Sequence, residues 1–140
     1  MKRSTLSSVA LATLLCGAAV AQTQPKGKGD LGKFEYESNC AVCHARGGQG
    51  NGPFAPYLKK PAPDLTGLAK RNGGIFPLQR VYEVIEGGGA GHGTREMPIW
   101  GRAYSMEAAE YYMDTPYDSE AFVRARVLAL AEYLNRLQAK

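Results

Sequence analysis

Histidine, cysteine and tryptophan are scarce in this chain, at two, three and one among 140 residues. If Cys16 is removed with a leader, only Cys40 and Cys43 remain, so a single disulfide is the most an oxidising compartment could form. A structural zinc site needs four ligands, and beyond Cys40, Cys43 and His44 only His92 is left. No run of alternating strands is evident, which removes the βαβ context of a thioredoxin-like C-x-x-C. Internal repeats are absent, so one site is expected. No nucleophile–base pair or acid–base constellation points to catalysis by the protein's own side chains, and the chain is not read as an enzyme. Charge of one sign is also lacking: 17 basic residues face 13 acidic ones. Without Lys2 and Arg3 the excess falls from +4 to +2, and nucleic-acid binding has no support.

The longest apolar run lies at the N-terminus. Lys2 and Arg3 precede an uncharged stretch from about Leu6 to Val20, which ends in Ala19-Val20-Ala21. A positive start, an apolar middle and a small-x-small end are the marks of a cleaved secretory signal. The stretch falls short of the ~20 residues that span a bilayer, and no stop-transfer charges follow, so a membrane anchor is not expected. Lipidation at Cys16 is a further alternative, but Leu15 stands where a small residue should be. Residues 1–21 are thus read as signal peptide and 22–140 as one domain, 119 residues long. The destination is the periplasm.

The motif that carries chemistry is Cys40-Ala41-Val42-Cys43-His44. C-x-x-C-H is the attachment signature of c-type haem. Two thiols three residues apart on a helical turn can add across the two vinyl groups of one haem edge. The adjacent His44 then lies under the iron as proximal ligand.

Helices joined by loops account for the rest. Asp30 can cap a first helix over residues 30–39. Eight glycines and prolines between Gly47 and Pro63 mark a wrapping loop. Pro77 suits the first turn of a second helix with Leu78, Val81, Val84 and Ile85 on one face, and Gly87 stops it. Ser105 is expected to cap a short helix to about Met113. Asp118 or Ser119 opens the last helix, whose stripe is Phe122, Val123, Val127, Leu130, Leu134 and Leu137.

With these features the chain resembles the class I c-type cytochromes, over most of the part after the signal. Gly32 and Tyr36 before the motif, against Leu130 and Tyr133 near the other end, look like that family's crossing of first and last helices. The resemblance implies an all-α cytochrome c fold, four or so helices wrapped around one covalently bound haem c. The segment from Pro63 to Leu68 is similar to the family's proline-containing segment. It implies that the Pro63 carbonyl accepts the Nδ1 proton of His44 and that Leu65 packs on the haem face; an ordinary turn is the alternative. Met97-Pro98-Ile99-Trp100-Gly101 resembles the sixth-ligand loop, with Met97 on iron and Trp100 closing the pocket or serving as a plain core residue. His92, Met106 and Met113 are rival ligands, and Arg71 and Arg95 are candidate partners for the haem propionates.

The stretch from Arg102 to Asp118 departs from a minimal cytochrome. It carries several tyrosines and the acidic Glu107, Glu110, Asp114 and Asp118, whereas residues 45–80 hold six basic residues against Asp64 alone. The insert is read as a cover over the haem edge or as a docking surface. The resemblance implies a periplasmic carrier of single electrons, with a dehydrogenase as donor and an oxidase or reductase as acceptor. A dedicated haem subunit of one periplasmic dehydrogenase is the alternative. A haem enzyme or gas sensor with an open iron is a third possibility, against which Met97 argues.

Overall fold

The computed structural model describes residues 29–88, 97–114, 116 and 118–139. The signal segment, Cys16, His92 and Arg95 lie outside these. Among the described residues the fold is helical without a strand: α1 (Leu31–Glu35), a π turn (Tyr36–Cys40), α2 (Ala41–His44), a 3-10 turn (Ala55–Tyr57), α3 (Leu68–Arg71), α4 (Leu78–Glu86), α5 (Trp100–Tyr111) and α6 (Ser119–Arg136). None of these helices is long and apolar enough to cross a membrane.

The first three elements run end to end. The Asp30 carboxylate caps them by accepting the Lys33 N–H at 3.0 Å, as expected of an N-cap. Within the rod the Ala41 N–H donates to the Tyr36 carbonyl, five residues back. That wider turn moves the buried face along by one residue, so both Cys40 and Ala41 face inward. The rod ends at Ala45, whose φ of 63° and ψ of 161° lie where a residue with a Cβ is strained, at a cost of about 1–3 kcal/mol. Two bonds hold it there: the Ala45 carbonyl accepts the Tyr36 hydroxyl at 2.7 Å and the Gly48 N–H at 3.2 Å.

Helix α6 is the spine of the core. Val127, Leu130 and Ala131 are at most 1% exposed, and Val123 and Leu134 are buried beside them. The helix starts where Asp118 accepts the Glu120 and Ala121 N–H groups at 3.0 and 3.1 Å. It crosses α1 at Gly32, where a Cβ would stand 2.0 Å from the Ala129 oxygen. Tyr36 and Tyr133 meet beside the crossing, ring centroids 5.2 Å apart. Helix α4 is preceded by Pro77 and stopped by Gly87 in a left-handed conformation.

The insert differs from expectation. Its helix does not begin at Ser105 but at Trp100, directly after the Met97-Pro98 loop. Ser105 sits inside it and donates its hydroxyl to the Gly101 carbonyl at 2.9 Å, the i−4 bond that helical serines make. One face of α5 is core, with Tyr104 2% and Ala108 0% exposed. The opposite face leaves Met106 and Tyr111 largely exposed.

Candidate functional site

A cleft opens between the α1–α2 rod, α4, α6 and the start of α5. Its main lobe holds about 870 Å³ of empty space, open mouth included. A second lobe lies toward Cys43. Both lobes are lined by Cys40, His44, Met97 and Trp100. Pro63 and Leu65 line the main lobe, while Cys43, Phe54 and Pro98 line the other. The seven residues read as attaching, ligating or packing on the haem, far apart in the chain, therefore line one cleft, whereas Met106, Met113 and Arg71 do not.

His44 is 4% exposed. Its Nδ1 lies 3.1 Å from the Pro63 carbonyl oxygen. A carbonyl only accepts, so Nδ1 carries the proton and Nε2 keeps a free lone pair. Burial lowers the imidazole pKa and outweighs the opposing effect of the Pro63 bond. The ring is thus neutral and held in one tautomer, which is the state a metal ligand needs.

The loop that brings Pro63 here is fastened at several points. Leu65 N–H donates to the Gly48 carbonyl at 2.7 Å, and the Leu65 carbonyl accepts Gln138 Nε2 at 2.9 Å. Gln138 Oε1 also accepts the Ala69 N–H at 2.9 Å, which ties the loop to the end of α6. Gly50 has φ +80°, and a Cβ there would stand 2.2 Å from the Ala62 oxygen. Only glycine lets the loop cross its own return next to Pro63.

The two cysteines carry no disulfide. Burial, with the Glu35 and Cys43 charges adding, pushes the Cys40 thiol up to about 12. It is no nucleophilic thiolate at neutral pH. Among the described residues no three His, Cys, Asp or Glu side chains cluster to hold a bare metal ion. The donors instead suit a large flat apolar group. The main lobe is walled by Val81, Val84, Ile85, Leu130 and Leu134, and His44, Met97 and Cys40 also line it, with Cys43 in the adjoining lobe.

Two charged residues escaped the sequence reading. Among the described residues Arg80 is the sole charged side chain lining the main lobe. Its position was readable, since it lies three residues after Pro77 and four before Val84, both of which also line the lobe. Arg71 instead donates to the Asp64 carbonyl at 2.6 Å and lines neither lobe. The second is Glu35, a carboxylate 2% exposed behind Cys40. Hydropathy gives no sign of it, because a glutamate on a helix is nearly always solvated.

Comparison with curated proteins and with solved structures gives no match. The family model described as Cytochrome c matches residues 30–138, nearly all of the described fold. The wrapped helical fold and the C-x-x-C-H motif at the cleft agree with it. The chain belongs to the cytochrome c family, in its class I form, and is a haem-binding electron carrier.

Proposed function

We propose that the protein is a monohaem c-type cytochrome of the periplasm, which passes single electrons between redox enzymes through a haem ligated by His44 and Met97. The observation that carries this is the meeting of His44, Met97 and Cys40 at one apolar cleft, with His44 Nδ1 tied to Pro63. When bound, haem supplies a one-electron ferric–ferrous couple.

The chain's own residues hold it and tune it. Cys40 and Cys43 would hold it covalently, each thiol giving its sulfur to one carbon of a vinyl group and its hydrogen to the other, so that no oxidant would be consumed. His44 offers Nε2, and its bond to Pro63 keeps the ring from turning and makes the ligand more basic. Met97 offers a soft thioether, which favours ferrous over ferric iron and raises the potential. Leu65 and Trp100, which both line the main lobe, would exclude water from it. Arg80, which lines the main lobe, would pair with a propionate.

The second lobe, beside the half-exposed Val42 and Phe54, supports an electron path past Cys43. A dehydrogenase as donor and an oxidase or reductase as acceptor fit a soluble shuttle of this kind. One observation favours the alternative, a dedicated subunit of a periplasmic dehydrogenase. Tyr111 and Met113 at the end of the acidic insert are 78% and 76% exposed, which is the composition of a contact surface. Stable copurification with one catalytic subunit selects that alternative.

The ferric spectrum of wild type and of Met97→Ala tests the ligand set. Wild type should show the weak long-wavelength sulfur-to-iron band. The variant should lose it and bind carbon monoxide when reduced. Survival of the band in Met97→Ala, or its loss in Met106→Ala or Met113→Ala, refutes the assignment.

A further inference from the structure

The most heavily bonded polar group in the core lies outside the haem cleft. Glu35, on α1, accepts the Tyr104 hydroxyl of α5 at 2.9 Å and Asn39 Nδ2 at 3.1 Å, both on Oε2. Its other oxygen, Oε1, is 3.1 Å from Arg126 Nε of α6. That contact is an ion pair off the line of a hydrogen bond, and among the described residues Oε1 has no hydrogen-bond partner. Arg126 also bonds Glu107 of α5, and its guanidinium lies over the rings of Tyr104 and Phe122, 5.1 and 4.7 Å from their centroids. Three helices thus converge on one carboxylate.

Burying a charge is unfavourable unless it is paired, and an all-apolar cluster of this size would hold the helices together as well. What a buried polar cluster adds is direction: Tyr104 satisfies Glu35 in one seating of α5 only. That seating matters to the cleft because α5 begins at Trp100, three residues after Met97. Trp100 and Tyr104 are one helical turn apart, with ring centroids at 6.1 Å. The first turn of α5 is also pressed on α4, since a Cβ at Gly101 would stand 2.5 Å from the Glu86 oxygen.

We propose that Glu35, Tyr104 and Arg126 form a positioning clamp that sets the register of α5 and thereby holds Met97 against the iron. None of the three lines either lobe of the cleft. They act through the short, proline-containing link from Met97 to Trp100. Loosening the clamp lets Met97 leave the iron while the rest of the fold stays intact. The proposal rests on Met97 as the sixth ligand.

The test uses ferric holoprotein and imidazole as competing ligand. Tyr104→Phe removes only the hydroxyl and leaves the ring on Trp100. Imidazole affinity, read from loss of the sulfur-to-iron band, should rise about tenfold, the size of one lost hydrogen bond to a charged group. Glu35→Gln should act in the same direction. Two controls separate positioning from general loosening. Arg136→Gln breaks the Asp30–Arg136 pair, which joins the α1 cap to α6 but not α5, and should leave imidazole affinity unchanged. Wild type in urea, brought to the stability of Tyr104→Phe, should also keep its affinity. A Tyr104→Phe protein with wild-type affinity, or an equal rise in either control, overturns the clamp. A wild type with no sulfur-to-iron band instead overturns the ligand assignment on which the clamp depends.

Discussion

Gly32→Ala is the sharpest test of how the fold holds the cleft. The added Cβ would stand 2.0 Å from the Ala129 oxygen, 2.7 Å from its carbonyl carbon and 3.0 Å from the Tyr133 Cβ. Two of the three atoms are backbone, so no rotamer change relieves them. Restoring a ~3.5 Å contact needs α6 to retreat by about 1.5 Å from α1, which forfeits much of the dispersion along that interface. Overpacking of this kind costs about 1–3 kcal/mol or more, against a gain of about 1 kcal/mol from replacing a helical glycine by alanine. The overlap is mainly with backbone, so the upper end of the cost applies, and the net expectation is a loss of ~2 kcal/mol, or a fall in Tm on the order of 5–10 °C for a domain of this size. Urea unfolding of the holoprotein can be followed by fluorescence of Trp100, the chain's single tryptophan. A midpoint that falls with the slope unchanged fits the prediction. A variant as stable as wild type, or more so, refutes the close crossing.

Arg80→Gln should lower the midpoint potential by on the order of 20–40 mV. That is ~0.5–1 kcal/mol for a partly screened pair, at ~59 mV per tenfold change for one electron; an unchanged potential in direct electrochemistry removes Arg80 as propionate partner. Asp30→Ala should cost about 1 kcal/mol at neutral pH through the lost cap. The Lys33 N–H, aided by Arg136, holds the Asp30 carboxyl below its ordinary pKa. Its stabilisation is therefore complete above the ordinary carboxylate range and disappears as pH falls through the lowered value. Chemical denaturation should show wild type and variant converging in acid, and a constant gap across pH contradicts that sign.

The elements written most plainly in the sequence are those with one dominant local signal. The α6 stripe through Val123, Val127, Leu130 and Leu134 repeats at helical spacing and is the core. Asp30 and Asp118 sit where cap residues belong, and both carboxylates accept backbone N–H groups. C-x-x-C-H singles out Cys40, Cys43 and His44, whereas Pro63, Leu65, Met97 and Trp100 are singled out by the resemblance to the family. Other features depend on distant partners. Ser105 has the chemistry of a cap, but helix α5 already runs from Trp100, and the hydroxyl bonds back to Gly101 instead. The burial of Glu35 depends on Tyr104 and Arg126 reaching it from 69 and 91 positions away, and no local pattern records that. The π turn between Tyr36 and Cys40 shifts the helix face by one residue, so counting in fours from Gly32 misses Ala41.

Covalent attachment at Cys40 and Cys43 is tested most directly by the intact mass of the protein purified from the periplasm of a bacterium that matures c-type cytochromes. The mass should equal residues 22–140 plus one haem, with no thiol left to alkylate and no haem lost to acidic acetone. A mass equal to the bare polypeptide, or a haem that acetone extracts, contradicts the assignment of both cysteines.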